Sequence, residues 1–138
     1  MARNSARPLS PHLSIWKWGP HMLVSILHRA TGSALAVGGG ILLVWWLTAL
    51  AGGAASYDRF VDLMTSDRTG FLNPLPLLVL VGLTWSFFQH LCGGVRHLVL
   101  DTGAGYELKR NKTGALATLA ISITLTLAVW GSILARLG

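Results

Sequence analysis

The sequence predicts an all-α integral membrane protein with three transmembrane helices, and three observations carry that reading. First, 52% of the 138 residues are hydrophobic and only 12% are charged, about half the share usual in a soluble domain, with a mean hydropathy of +0.56. This excludes a disordered chain and an ordinary soluble domain. Second, residues 30–57, 69–95 and 113–135 contain no Asp, Glu, Lys or Arg, and each exceeds the roughly 20 residues a helix needs to cross a hydrocarbon core. Backbone groups in lipid must be satisfied within the segment, so these are helices rather than strands. Third, the basic residues alternate by connector. Arg3, Arg7, Lys17 and Arg29 precede the first apolar run, whereas the first loop has only Arg59 and Arg68. The second loop has Arg96, Lys109, Arg110 and Lys112, and the tail has only Arg136. The positive-inside rule puts the N-terminus and second loop in the cytoplasm and the C-terminus in the periplasm.

The length suits one domain, 1–138, with an N-terminal arm at 1–20 and transmembrane helices at about 22–52, 72–98 and 113–136. The arm is basic and acid-free, but no cleavable apolar core precedes Pro20. An uncleaved multi-pass protein of the bacterial inner (cytoplasmic) membrane is expected, with the mitochondrial inner membrane as the alternative. Gly19-Pro20 separates the arm from the first helix, which carries a stripe of small residues, Gly32, Ala36 and Gly40, suited to close packing. Asn73-Pro74-Leu75-Pro76 opens the second helix. The third has no ionisable residue in its apolar run and reads as scaffold. Trp16 and Trp18 at one face of the membrane, and Trp45, Trp46, Tyr57 and Trp130 at the other, suit aromatic anchoring belts. The single cysteine, Cys92, excludes an internal disulfide and reads as packing.

Antiparallel order brings Ser25, His28 and Arg29, at the start of the first span, to the same leaflet as His90, Arg96 and His97, at the end of the second. Ser25 and Arg29 are four apart and share a helix face. Together they could hold a carbonyl or an anionic oxygen; separately, Ser25 reads as a back-bonded helix serine and Arg29 as a headgroup anchor. His90 lies in an apolar run with Ser86 a turn before it and Gly93 and Gly94 after it. The small neighbours either leave room for a haem ligated by His90 or merely allow close helix packing. Arg96 and His97 could hold haem propionates or contact lipid headgroups, and Asp101 could pair with either. His12 and His21 read as boundary residues. A six-coordinate haem needs a second axial ligand, from another chain or from His28. No carboxylate lies in a span, no phosphate loop and no Ser-His-Asp set has a sensible context, and no basic face remains for nucleic acid.

Two motifs carry a resemblance over the whole chain. Arg7-Pro8-Leu9-Ser10-Pro11-His12-Leu13 leads to Ser25-Ile26-Leu27-His28-Arg29-Ala30-Thr31-Gly32. The second set is His90, Gly94, Arg96-His97-Leu98, Asp101 and Gly103. Together they resemble the large cytochrome b membrane-anchor subunit of succinate dehydrogenase (complex II), of the mitochondrial and alpha-proteobacterial type. Trp16 stands where that family usually has Tyr, which keeps an aromatic anchor. The resemblance implies that His90 is an axial ligand of the haem b iron, with the other axial histidine from a small partner anchor subunit. It implies that Ser25 and Arg29 bind ubiquinone, and that His28, Arg29 and His97 lie near the haem propionates. It also implies an iron–sulfur subunit and a flavoprotein subunit as partners, in respiratory electron transport and the tricarboxylic acid cycle. The chain is then half of a haem-binding bundle that contributes to quinone reduction but is not catalytic alone, with no catalytic residue of its own. A fumarate reductase anchor using menaquinol and a cofactor-free structural membrane subunit are the alternatives.

Overall fold

The computed structural model describes residues 17–65 and 73–137. The motif at residues 7–13, with His12 and Trp16, and the loop residues Asp67 and Arg68 lie outside them. The regular elements are helical: α1 (Pro20–Ala34), a π turn (Leu35–Gly39), α2 (Gly40–Ala51), α3 (Ala54–Met64), α4 (Pro74–Asp101) and α5 (Leu108–Leu137). The segment from α1 through α2, α4 and α5 are the three helices long and apolar enough to cross a membrane.

Proline opens two of them. Pro20 follows the Gly19 cap of α1 and Pro74 follows the Asn73 cap of α4, where a missing N–H costs nothing and the fixed φ already suits a helix. The second span runs three residues further than the sequence suggests, to Asp101, and the third begins earlier, at Leu108, so Lys109, Arg110 and Lys112 form its first turn. Gly103, at φ +83, turns the chain between them.

The first loop holds a helix that was not expected. In α3, Tyr57, Phe60, Val61 and Met64 recur at the spacing of one apolar helix face, while Asp58, Arg59 and Asp62 are exposed. Phe60 packs edge-on against Trp45 of α2, ring centroids 5.0 Å apart. Gly53, at φ +80, makes the reversal from α2 into α3. At the far end of α3, Asn73 donates through Nδ2 to the carbonyls of Leu63 (3.0 Å) and Thr65 (3.2 Å), and its backbone N–H to Met64 O (2.8 Å). The short helix is thereby clamped between α2 and α4.

Two arginines give a common depth scale. Arg29 to Ala51 and Pro74 to Arg96 are each about 22 residues, or roughly 33 Å of helix, close to the ~30 Å of a bilayer core. Both guanidinium-bearing positions lie at the same end of the bundle, about one bilayer core from the other end.

The interior is more polar than the exterior. Among the described residues only Val24, Ala49 and Ala115 are buried apolar residues, against buried Thr31, Ser86, Gln89, Thr118, Ser122 and Thr126, while leucines such as Leu78, Leu98 and Leu127 point outward. That is the inversion expected where lipid is the solvent and hydrophobicity cannot drive helices together. Most of the buried hydroxyls are satisfied on their own helix, as Thr31 Oγ1 is on Leu27 O (2.7 Å) and Thr126 Oγ1 on Ser122 O (2.8 Å). One of these hydroxyls also bonds across helices: Ser122 Oγ of α5 donates to Gln89 Oε1 of α4 at 2.7 Å, both residues being fully buried. The third span thus holds to the second through a polar bond as well as by packing. Ser122→Ala, which takes the donor from Gln89 Oε1 beside an Nε2 that already has no partner, is expected to destabilise the α4–α5 contact by about 0.6–1.7 kcal/mol. Gln89→Leu, which removes the amide altogether, should cost less. Unfolding in mixed micelles measures both, and a larger loss from Gln89→Leu would assign the site to packing rather than hydrogen bonding.

Candidate functional site

At the arginine end of the bundle, α1 and α4 cross through two histidines. The rings of His28 and His90 stack, centroids 4.0 Å apart and planes 4° from parallel. His97 lies one further step along α4, its ring 5.0 Å from that of His28 and tilted by 57°. All three are half-buried.

Each stacked ring is received by a glycine of the opposite helix. A Cβ at Gly93 of α4 would stand 2.6 Å from His28 Nδ1, and one at Gly32 of α1 would stand 2.8 Å from His90 Cε1. The sequence reading assigned the room made by Gly93 and Gly94 to the surroundings of His90. The structure gives it to His28, because those glycines face α1, and it gives His90 the space left by Gly32. The small-residue stripe of the first span is accordingly not uniform: Gly32 meets an imidazole, Ala36 is exposed, and a Cβ at Gly40 would have nothing within 4 Å.

His90 Nδ1 lies 3.0 Å from the backbone carbonyl of His28. A carbonyl only accepts, so Nδ1 donates, and the ring keeps its lone pair on Nε2, which is free of hydrogen bonds to any described residue. His28 Nδ1, by contrast, is buried without a hydrogen-bond partner. Among the described residues no three His, Cys, Asp or Glu side chains converge on a metal position. The cluster thus offers one oriented imidazole as a ligand, not a closed cage for a bare ion.

Ser25 and Arg29 stand one turn apart on α1 beside this cluster. Ser25 is half-buried, and its hydroxyl is not back-bonded to its helix, unlike that of Thr31. Arg29 is exposed and forms no ion pair with a described residue; the ion pair among them is the exposed Arg110–Glu107. Both donors are free to meet a ligand. Arg96 behaves otherwise. Its guanidinium Nη2 donates to Asn111 Oδ1 at the start of α5, so it joins α4 to α5 and does not turn to Asp101, which is exposed. His21 packs its ring against Gly19, where a Cβ would come within 2.5 Å of it, and its Nδ1 is buried without a partner. Cys92 is half-buried.

The opposite end of the molecule has a different character. A cavity of about 370 Å³ between α2, α3 and α4 is lined by Ile41, Leu42, Trp45, Met64, Val79 and Leu80, among others, and offers almost no polar surface. No charged or hydroxyl-bearing side chain lines it, so the polar side chains gather towards the histidine end. Sequence reading missed Gln89, Asn111 and the receiving role of Gly32. Gln89 carried a signal, being an amide inside an uncharged span.

Residues 3–129 match the family model described as succinate dehydrogenase/fumarate reductase transmembrane subunit. The chain is 37% identical over 125 residues to the succinate dehydrogenase cytochrome b556 subunit of Rickettsia felis, covering 90% of each. It is 34% identical over 119 residues to the b556 subunit of Paracoccus denitrificans, covering 86% of this chain and 85% of that one. It is 34% identical over 122 residues to the mitochondrial succinate dehydrogenase cytochrome b560 subunit of Mus musculus, covering 87% and 68%.

The histidine–glycine seam gives its own test. Gly93→Leu puts a side chain where the His28 ring sits and is expected to cost about 1–3 kcal/mol, as overpacking does. The same substitution at Gly40, which faces open space, should cost much less. Thermal unfolding in detergent compares the two, and equal losses would mean that the seam does not hold α1 against α4.

Proposed function

The chain belongs to the succinate dehydrogenase/fumarate reductase transmembrane subunit family, and we propose that it is the large membrane anchor of a succinate:ubiquinone oxidoreductase. In this reading it binds one haem b jointly with a second, smaller anchor subunit and forms part of the site where ubiquinone is reduced. The observation that carries the reading is His90, its Nδ1 tied to a backbone carbonyl and its Nε2 free, on the same boundary as the unpaired Ser25 and Arg29.

The residues fit a haem. One imidazole with a defined free nitrogen is what a single axial position requires. With one such ligand in this chain, a second ligand would come from the partner subunit, while His28 lies stacked on the His90 ring. His28, His97 and Arg29 are the groups here that would meet the propionates, as hydrogen-bond donors and a fixed cation. When bound, the haem would take up and release single electrons. The relatives carry the name cytochrome b, which agrees with this donor set.

The quinone reading follows from the boundary position. A quinone is an apolar ring with two carbonyls and reaches its site from lipid, while its protons come from water. Ser25 would donate a hydrogen bond to one carbonyl. Arg29 would stabilise the negative charge that grows on the oxygens as electrons arrive. An iron–sulfur subunit docked on this face delivers those electrons, having received them from a flavoprotein subunit that oxidises succinate. In this reading the face is cytoplasmic, in a bacterial inner membrane; the alternation of Lys and Arg supports the side.

The purified complex tests the haem and quinone readings separately. His90→Ala should abolish the b-type signal in the reduced-minus-oxidised spectrum while the complex still assembles; an unchanged signal removes His90 from the iron. Arg29→Ala should lower quinone reductase activity about tenfold or more, and Ser25→Ala a few-fold, as expected for charged and neutral hydrogen bonds. Both variants should leave succinate oxidation by a soluble dye largely intact. Arg29→Lys should rescue poorly, because a point charge does not replace a planar fork. Equal loss with quinone and dye would reassign both residues to assembly. In intact membranes, single cysteines at positions 29 and 97 should be labelled from the same side, and labelling from opposite sides would overturn the shared boundary.

A further inference from the structure

The geometry points to Gly32 as a positioning residue that, with the backbone carbonyl of His28, fixes the rotation and tautomer of the His90 imidazole. This rests on the reading of His90 as the iron ligand and adds what holds the ligand in place.

The contact is on one edge of the ring. A Cβ at Gly32 would lie 2.8 Å from Cε1, 3.2 Å from Nδ1 and 3.7 Å from Nε2 of His90. The edge that carries both nitrogens therefore rests on bare α1 backbone. One turn earlier on the same helix, the His28 carbonyl takes the Nδ1 proton at 3.0 Å. Any side chain at position 32 pushes the ring away from that carbonyl, because the same edge makes both contacts. Stacking against His28 at 4° blocks escape by tilting, and the ring can yield only by turning about its own bonds. Turning lengthens the Nδ1 hydrogen bond, which releases the tautomer, and changes the direction in which Nε2 points. Helix packing in general is not the point of this glycine. Gly40, in the same stripe, faces empty space.

Ligand orientation and the hydrogen bond on the distal nitrogen both tune a metal centre. The test uses the whole complex carrying Gly32→Ala, Gly32→Ser, Gly40→Ala or His90→Ala, with the electron paramagnetic resonance of the ferric haem, its midpoint potential and its content per flavin as readouts. Both Gly32 variants are expected to assemble and oxidise succinate with dye. They should show a shifted low-spin signal and potential, or a lowered haem content, whereas Gly40→Ala matches the unaltered complex. A wild-type signal and potential in Gly32→Ala would overturn the positioning role. So would loss of assembly in both Gly32 variants, which would make Gly32 a packing residue. The outcomes separate from failure of the ligand reading: an unchanged haem signal in His90→Ala sinks that reading, whereas loss there beside no change in Gly32→Ala sinks only this inference.

Discussion

Two imidazoles lie face to face inside a helix crossing, and that is possible only because each meets a glycine on the other helix. His28 fills the space over Gly93 and His90 fills the space over Gly32, with the rings 4.0 Å apart between them. The exchange is local in sequence on both sides. His28 and Gly32 are one turn apart on α1, and His90 precedes Gly93 by three residues on α4, so each helix presents a ring and a gap on neighbouring positions of one face. The crossing sets the distance between α1 and α4, the direction of the His90 ring, and hence the place where Ser25 and Arg29 stand relative to it.

The surrounding bundle obeys the solvent it lives in. Lipid gives no advantage to burying leucine, so the leucines face outward and the space between helices goes to threonine, serine and glutamine. The cost of a polar group at this depth is met on its own helix for most of the hydroxyls, and across helices between Ser122 and Gln89 and between His90 and the His28 carbonyl. Arg96 extends the same logic to the boundary, where it reaches Asn111 and ties the end of α4 to the start of α5.

Much of this was legible in the sequence. Absence of charge over long stretches fixed three helices, because nothing else in lipid satisfies its own backbone. The antiparallel order of the spans, read from the Lys and Arg of the connectors, brought the histidines to one end. What stayed hidden depends on rotation about helix axes. Gly93 is three residues from His90 in the chain, yet it serves the histidine of another helix, and no spacing rule says which neighbour a face will meet. The helix Ala54–Met64 stayed hidden for a different reason: Asp58, Arg59 and Asp62 interrupt the apolar pattern, and the amphipathic repeat of Tyr57, Phe60, Val61 and Met64 is short. Gln89 was overlooked because an uncharged amide leaves a charge count unaltered.

The π turn at Leu35–Gly39 divides the first span into two segments of different azimuth. One extra residue in a turn rotates everything beyond it by about 100° from the path of an unbroken helix. Below the turn the helix answers to α4 and α5; above it, Trp45 is aimed at Phe60. Deleting a single residue there would leave His28 and Gly32 where they are and swing the indole away from its aromatic neighbour. The two leaflets of the bilayer are thus served by one continuous helix whose halves are phased independently, a stepped key with a separate cut for each lock.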